Sequence, residues 1–168
     1  MIGTDILSGF DLDFDFPKRT LTFYQLKNCT SLAPPWQSAY IQIPIRVGQA
    51  KQIVIPVELD GHPLSAIFDT GCDGELLSMT SVGNVGLSSS QLALDPHVPN
   101  AGMGTKEYQQ IPVHKFASLR IGSDNLSNVW IPIGTVNSRE GSDMRIGQDY
   151  MHTKRFWLSY ASNALFAQ

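Results

Sequence analysis

The fold class predicted for this chain is all-β: a small closed β-barrel with one or two short helices. Three observations lead there. Short apolar runs rich in Ile, Val, Leu and Phe recur along the chain, bounded by turn-forming Gly, Pro, Asn and Asp. Two of them, Ile53 to Leu59 and Pro63 to Phe68, flank Asp60-Gly61, a dipeptide suited to the tight turn of a hairpin. Hydrophobic residues make up 42% of the 168 positions and charged residues 16%, with 14 Gly and 10 Pro, a balance that suits a turn-rich β domain rather than a helical or disordered chain. That length holds one domain with an adequate core and some additional segment.

From the start of the chain, Ile2-Gly3-Thr4-Asp5-Ile6-Leu7 is echoed by Ile146-Gly147-Gln148-Asp149-Tyr150-Met151, 144 positions later and without a gap. At the same offset Leu12, Phe14, Phe16 and Leu21 meet Phe156, Leu158, Tyr160 and Leu165. Each copy reads as a short helical turn followed by two short strands around a polar turn. Residues 1–24 are therefore expected to be the tail of a preceding lobe in a tandem-repeat protein, the alternative being that two β-rich ends look alike. Asp11, Asp13 and Asp15 alternate with apolar neighbours, which predicts the solvated face of a strand rather than a metal site. Residues 25–49 read as a connector in which Pro34-Pro35 is extended and Trp36 pins the chain to a lobe surface. Ile41 to Ile45 is expected as an edge strand, where Pro44 is tolerated.

Residues 50–168 are expected to form one lobe. After the hairpin come a strand at Leu76-Leu77-Ser78 and an irregular helix from Ser78 to Leu87, weakened by Gly83 and Gly86. Ser88-Ser89-Ser90 and the stretch Asp95 to Pro99 read as loops leading to a glycine-flanked tip, Gly102-Met103-Gly104-Thr105. Ile111-Pro112-Val113, Leu119-Arg120-Ile121 and Val129 to Ile133 read as short strands, with Gly122 to Asn128 as the turn between the last two. Met144-Arg145-Ile146-Gly147-Gln148-Asp149 follows near the end.

The returning strand of the hairpin delivers Asp69-Thr70-Gly71, so that one carboxylate sits at the exit of a buried strand. Hairpin, triplet, glycine tip and Ile-Gly motif, in that order, resemble the retropepsin-like aspartic peptidases over the stretch from Ile41 to Phe166. With the connector and the repeated tail, the chain looks like the C-terminal lobe of the two-lobe retropepsin-like proteins of bacteria. The resemblance implies a closed acid-protease barrel and an aspartic endopeptidase that takes an extended peptide or protein substrate, with no cofactor and no metal. Such hydrolysis needs two carboxylates at one site, one ionised to take a proton from water and one protonated to polarise the scissile carbonyl. Asp69 is one member of that pair. The other must come from a second lobe, either an identical chain in a homodimer or an upstream homologous lobe.

The resemblance also assigns roles to the neighbours. Asp69, Thr70 and Gly71 form the catalytic triplet, with Thr70 bracing the partner triplet and Gly71 letting backbone approach the carboxylate. Cys72, Asp73 and a flap carrying Gly102, Met103 and Gly104 are expected to face substrate, and Arg145, Ile146, Gly147 and Gln148 to support the loop. Two positions depart from the family. Cys72 stands where Ala or Ser is usual, and Gln148 stands where retroviral members carry an arginine that pairs with the carboxylate here represented by Asp73. Arg145 is therefore expected to supply the missing charge to Asp73.

Other chemistries are excluded on composition and spacing. The net charge is −3 with no basic stripe, which argues against nucleic acid, and no apolar stretch reaches membrane-spanning length. The histidines are scattered, no Cys/His spacing resembles a zinc site, and no nucleophile-elbow pattern is present. Cys29 and Cys72 read as two separate thiols. Export to the periplasm and retention in the cytoplasm agree equally well with them. Two readings from other classes stand beside the enzyme: a non-catalytic dimerisation or peptide-binding module of the same fold, and a ligand-binding β-barrel with a chance triplet.

Overall fold

The computed structural model describes residues 3–25, 33–101, 108–136 and 141–168. A helical turn α1 (Thr4–Leu7) and the hairpin strands β1 (Asp11–Asp15) and β2 (Thr20–Tyr24) come first. The connector leads to β3 (Ile41–Pro44) and β4 (Arg46–Val47), then to the central hairpin β5 (Ile53–Leu59) and β6 (His62–Phe68). Next are β7 (Leu76–Ser78), a 3-10 segment at Met79–Val85, the turn α2 (Ser89–Leu92) and the strand β8 (His97–Asn100). The long pair β9 (Gln109–Ile121) and β10 (Asp124–Gly134) precedes β11 (Met144–Ile146), α3 (Gln148–Met151), β12 (Arg155–Ser159) and β13 (Ala164–Ala167).

Hydrogen-bonded neighbours run β5-β6-β11-β7-β10-β9, and β9 returns to β5, so six strands close a barrel. Glu58↔Arg120 and Leu59↔Leu119 make the closing pairs. The hairpin turn carries the expected geometry, with Asp60 at φ 47° and Gly61 at φ 80°. Both are left-handed, the combination whose twist matches that of the flanking strands. The Asp60 carboxylate also accepts the Ser118 N–H at 2.7 Å, tying the turn to β9. Leu59, Leu77, Phe116, Ile131, Ile133 and Met144 are fully buried at the centre of the barrel. The last three residues of β6 are all buried, because the strand lies between β5 and β11 with both faces covered.

A second sheet has the order β2-β1-β12-β13-β3. Here the sequence repeat becomes a symmetry. β1 runs antiparallel to β12 with Leu12↔Leu158, Asp13↔Trp157 and Phe14↔Phe156. Leu12↔Phe23 and Phe14↔Leu21 on one side match Phe156↔Ala167 and Leu158↔Leu165 on the other, at the same offset as the repeat. The two copies are thus related by an approximate two-fold through the Asp13–Trp157 pair. Phe68 meets Phe156 edge-on at 5.1 Å, which joins the barrel to this sheet in one core.

Several expectations need correction. The two short strands expected around residues 111–113 and 119–121 are one strand, β9, whose middle, residues 114–118, is held by main-chain pairing with β10. The turn expected over residues 122–128 shrinks to Gly122-Ser123, and the rest belongs to β10. Residues 97–100, expected as loop, pair with β9 as an outer strand, where Pro99 costs little. Ser88 and Gln91 form a reciprocal capping box, so the expected serine loop is the start of α2. The helix expected from Ser78 to Leu87 is 3-10 in type and ends at Gly86, whose φ of 73° needs glycine.

Asp11, Asp13 and Asp15 are not a solvated face but are only 4%, 2% and 7% exposed. Arg155 donates two hydrogen bonds to Asp13, at 2.8 and 2.5 Å, and Trp157 donates one to Asp11 at 3.1 Å. Lys18 pairs with Asp15 at 3.0 Å. Trp36 packs at Asp13, in line with its expected anchoring role, with the Arg155 guanidinium 4.9 Å from its ring centre. Burial pushes the Asp11 carboxyl above the usual range, partly offset by hydrogen bonds from Ser159 and Trp157.

Removing Arg155 from this row leaves the Asp13 carboxylate buried with, among the described residues, the Trp36 N–H 3.4 Å away. Arg155→Met is expected to cost about 3 kcal/mol, read as a lower urea midpoint at unchanged slope.

Candidate active site

The site begins where β6 stops. Asp69 leaves the strand with its N–H donated to the Ile146 carbonyl at 3.0 Å, so β11 fixes the exit. The Gly71 N–H donates to Asp69 Oδ1 at 2.9 Å, and the Cys72 N–H to the Asp69 carbonyl at 3.2 Å. One carboxylate oxygen is therefore held by the turn that follows it, and the side chain stays about a third exposed. A Cβ on Gly71 would stand 3.3 Å from Oδ1, which leaves that position little room for a side chain.

The Ile-Gly motif docks against this loop. Met144 and Ile146 on β11 point into the core, so Arg145 between them points to the other face, where Asp69 lies. Gly147 passes so close to the loop that a Cβ there would sit 2.7 Å from the Cys72 carbonyl and closer still to that of Gly74. The Gln148 N–H donates to the Cys72 carbonyl at 2.9 Å, and its side-chain amide to the Thr70 carbonyl at 2.7 Å. The Asp149 N–H reaches the Asp73 carbonyl at 3.1 Å. Gln148 thus braces the triplet loop through main-chain acceptors, without the charge an arginine would bring.

Arg145 turns to Asp69 instead of the expected Asp73. Its Nε lies 3.3 Å from Asp69 Oδ2, in ion-pair range but without hydrogen-bond alignment, and Nη1 lies 3.9 Å from Cys72 Sγ. The reason is the strand's alternation, which aims Arg145 at the carboxylate beside it, while Asp73 sits on the exposed outer part of the loop. Cys72 is a free thiol that donates to the Gly74 carbonyl at 3.1 Å. The other cysteine, Cys29, lies outside the described residues, as do Gly102, Met103 and Gly104 of the expected flap. The remaining predicted residues, Asp69 to Asp73 and Arg145 to Gln148, come together in one cluster.

Three contributors escaped sequence reasoning. Glu75 accepts the Tyr150 N–H at 3.2 Å, and burial pushes its carboxyl above the usual range. Asp143 accepts from the Ser65 backbone and hydroxyl, Ser81 and Asn84, pinning the start of β11 to β6. Desolvation raises its carboxyl, but those four donors outweigh it and hold it below the usual range. The third is the first copy of the repeat: Thr4, Leu7 and Phe14 line a cavity of about 280 Å³ together with Ile67, Asp69 and Thr70.

No family model matches the sequence, and no curated protein does. Among solved structures the chain is similar to a retropepsin-like aspartic protease from Rickettsia conorii, with a TM-score of 0.56 and 13% identity over 80% of this chain and 96% of that one. The fold is retropepsin-like. At that identity the likeness speaks for the fold alone, and the chemistry rests on this chain's own residues.

Two predictions follow from how the cluster is held. Gly147→Ala is expected to cost about 1–3 kcal/mol by forcing β11 off the triplet loop, whereas Gly83→Ala, where a Cβ meets nothing within 4 Å, stays within about 0.5 kcal/mol; urea midpoints of the two variants separate them. Because the Asp143 carboxyl is held low in the folded chain, its contribution is complete above about pH 4 and is lost as pH falls through the folded value. A stability profile for Asp143→Asn should therefore be lower than the parent's at neutral pH and flatter on the acid side.

Proposed function

We infer that this chain is one lobe of an aspartic endopeptidase. The observation that carries the reading is the Asp69 carboxylate at the exit of β6, one oxygen held by the Gly71 N–H and the whole turn braced by Gln148. In this reading residues 1–24 are the tail of a preceding lobe, 25–49 the connector and 50–168 the peptidase lobe. A water sits between Asp69 and a second aspartate from another lobe or an identical chain. The ionised carboxylate takes a proton from the water as its oxygen bonds to the scissile carbonyl carbon, and the protonated one hydrogen-bonds the carbonyl oxygen. The C–N bond then breaks as the amine nitrogen receives a proton from the pair. The substrate lies extended over the triplet, bound in part by main-chain hydrogen bonds.

A second reading, a non-catalytic peptide-binding or dimerisation module, is favoured by the Arg145 guanidinium beside Asp69, which gives the lone carboxylate a partner other than a second acid.

The test is cleavage of an unfolded protein mixture at mildly acidic pH, using the longest reading frame that contains this chain, beside Asp69→Asn. Loss of about 10⁴-fold in the variant is expected. Equal cleavage by parent and variant, or none by either, would reject the peptidase.

A further inference from the structure

α3 is a single helical turn that starts without a cap of its own. Gly147 stands at its N-cap position and has no side chain to offer, so the N–H groups of Gln148, Asp149 and Tyr150 need acceptors from elsewhere. The loop after Asp69 supplies all three. The Cys72 and Asp73 carbonyls accept the Gln148 and Asp149 N–H groups at 2.9 and 3.1 Å, and the Glu75 carboxyl accepts that of Tyr150 at 3.2 Å. Glu75 is the one titratable group among these acceptors, and the catalytic steps given above make no use of it.

The same clasp brings a second carboxylate close. Asp149 Oδ2 lies against Gly74, where a Cβ would stand 2.6 Å from it, and Gly74 adjoins Glu75. The other charged groups on the packed elements are engaged elsewhere. Arg145 on β11 faces Asp69, and Asp73 sits on the exposed outer part of the loop. Tyr150 on α3 and Lys154 just beyond it both meet Asp124, at 2.9 and 2.7 Å, and His152 Nδ1 lies 3.0 Å from the Gln148 carbonyl. Asp149 is therefore the charge that bears on Glu75. Burial is the larger influence and that like charge the smaller; together they push the Glu75 carboxyl above its usual range, against the pull of the N–H donors.

We propose that Glu75 is an acid-sensitive clasp and a positioning residue for Asp69: with its proton on, it holds α3 against the loop that carries Asp69, and as it ionises the hold loosens. Below about pH 4 the carboxyl is protonated in the folded and the unfolded chain alike, and the clasp carries no penalty. As pH rises from there through the raised folded value, the folded chain retains a proton that the unfolded chain has released. Stability therefore falls, and the loss is complete once both are ionised. Asp69 is thus aimed by a tight turn in mild acid and by a looser one near neutrality. What the clasp governs rests on the peptidase reading; the clasp itself does not.

The experiment compares Glu75→Gln and Glu75→Ala with the parent chain at about pH 4 and about pH 7. Urea midpoints are read together with backbone hydrogen exchange of Gln148, Asp149 and Tyr150, corrected for its intrinsic pH dependence. Gln keeps an oxygen acceptor and cannot ionise. Glu75→Gln should therefore match the parent in acid and exceed it near neutrality, with several-fold greater protection of the three amides there. Glu75→Ala removes the acceptor and should lower their protection at both pH values. A Glu75→Gln variant level with the parent at both, or weaker near neutrality, overturns the proposal, as does full protection in Glu75→Ala in acid. In the longest reading frame that contains this chain, Glu75→Gln should keep a larger share of its mild-acid cleavage rate near neutrality than the parent keeps. Parallel pH profiles would refute the positioning role, since a merely structural residue moves both rates together. No cleavage by the parent at either pH defeats the peptidase reading, and the clasp then stands or falls on the exchange results.

Discussion

The approach of Gly147 to the loop that follows Asp69 is the constraint on which the site depends. Backbone passes backbone there with no room for a Cβ, and this proximity lets three N–H groups, from Asp69, Gln148 and Asp149, find carbonyl partners between β6, β11 and α3. A loop at a strand exit otherwise exposes unpaired backbone groups. Here it is closed on both sides, so the carboxylate it carries is positioned by main-chain hydrogen bonds, to which the Gln148 side chain adds one on the Thr70 carbonyl. Asp143 extends the same clamp one turn earlier, joining Ser65 on β6 to the start of β11.

What could be read from the chain alone follows from how local each determinant is. The β5–β6 hairpin is legible because its turn needs two left-handed residues and Asp60-Gly61 supplies them within two positions. The cluster of triplet and Ile-Gly motif is legible because both sit at strand ends in a fixed order. The length of β9 is not, since residues 114–118 mix polar residues with the single large apolar Phe116 and their strand character comes from β10, a partner that composition cannot announce. The direction of Arg145 depends on the pleat of a three-residue strand between two neighbours, which no motif spacing encodes. The capping box at Ser88 and Gln91 was available in the sequence as a local pattern, and its serines point as well to a helix start as to a loop.

The buried aspartates show a different limit. Polarity alternating along a strand predicts a wet face when nothing lies over it, and Asp11, Asp13 and Asp15 alternate faithfully. Asp13 is met by Trp36 from the connector and by the cation of Arg155, 142 positions away, while Trp157 and Lys18 answer Asp11 and Asp15. A charged row can be buried this way only if every oxygen finds a donor, and the tryptophan and arginine donors meet much of that need. The row lies along the strand on which the approximate two-fold is centred, so polar pairing, not apolar packing alone, sets the register of the two copies.

The same two-fold bears on the charge at the site. At the end of β6 Asp69 is faced by the Arg145 guanidinium, which answers its charge. Two carboxylates brought together cannot both stay ionised cheaply in water-poor surroundings, and the proton they share is what a peptidase uses. A guanidinium in contact with one of them works against that sharing, because it lowers the cost of leaving both ionised. The peptidase reading therefore asks more of assembly than proximity: the incoming acid has to take over the Asp69 oxygen that Arg145 faces. Nε holds that oxygen by charge alone, without hydrogen-bond alignment, while Oδ1 is fixed by the Gly71 N–H. The oxygen to be surrendered is thus the loosely held one, and the turn that aims Asp69 keeps its geometry through the exchange.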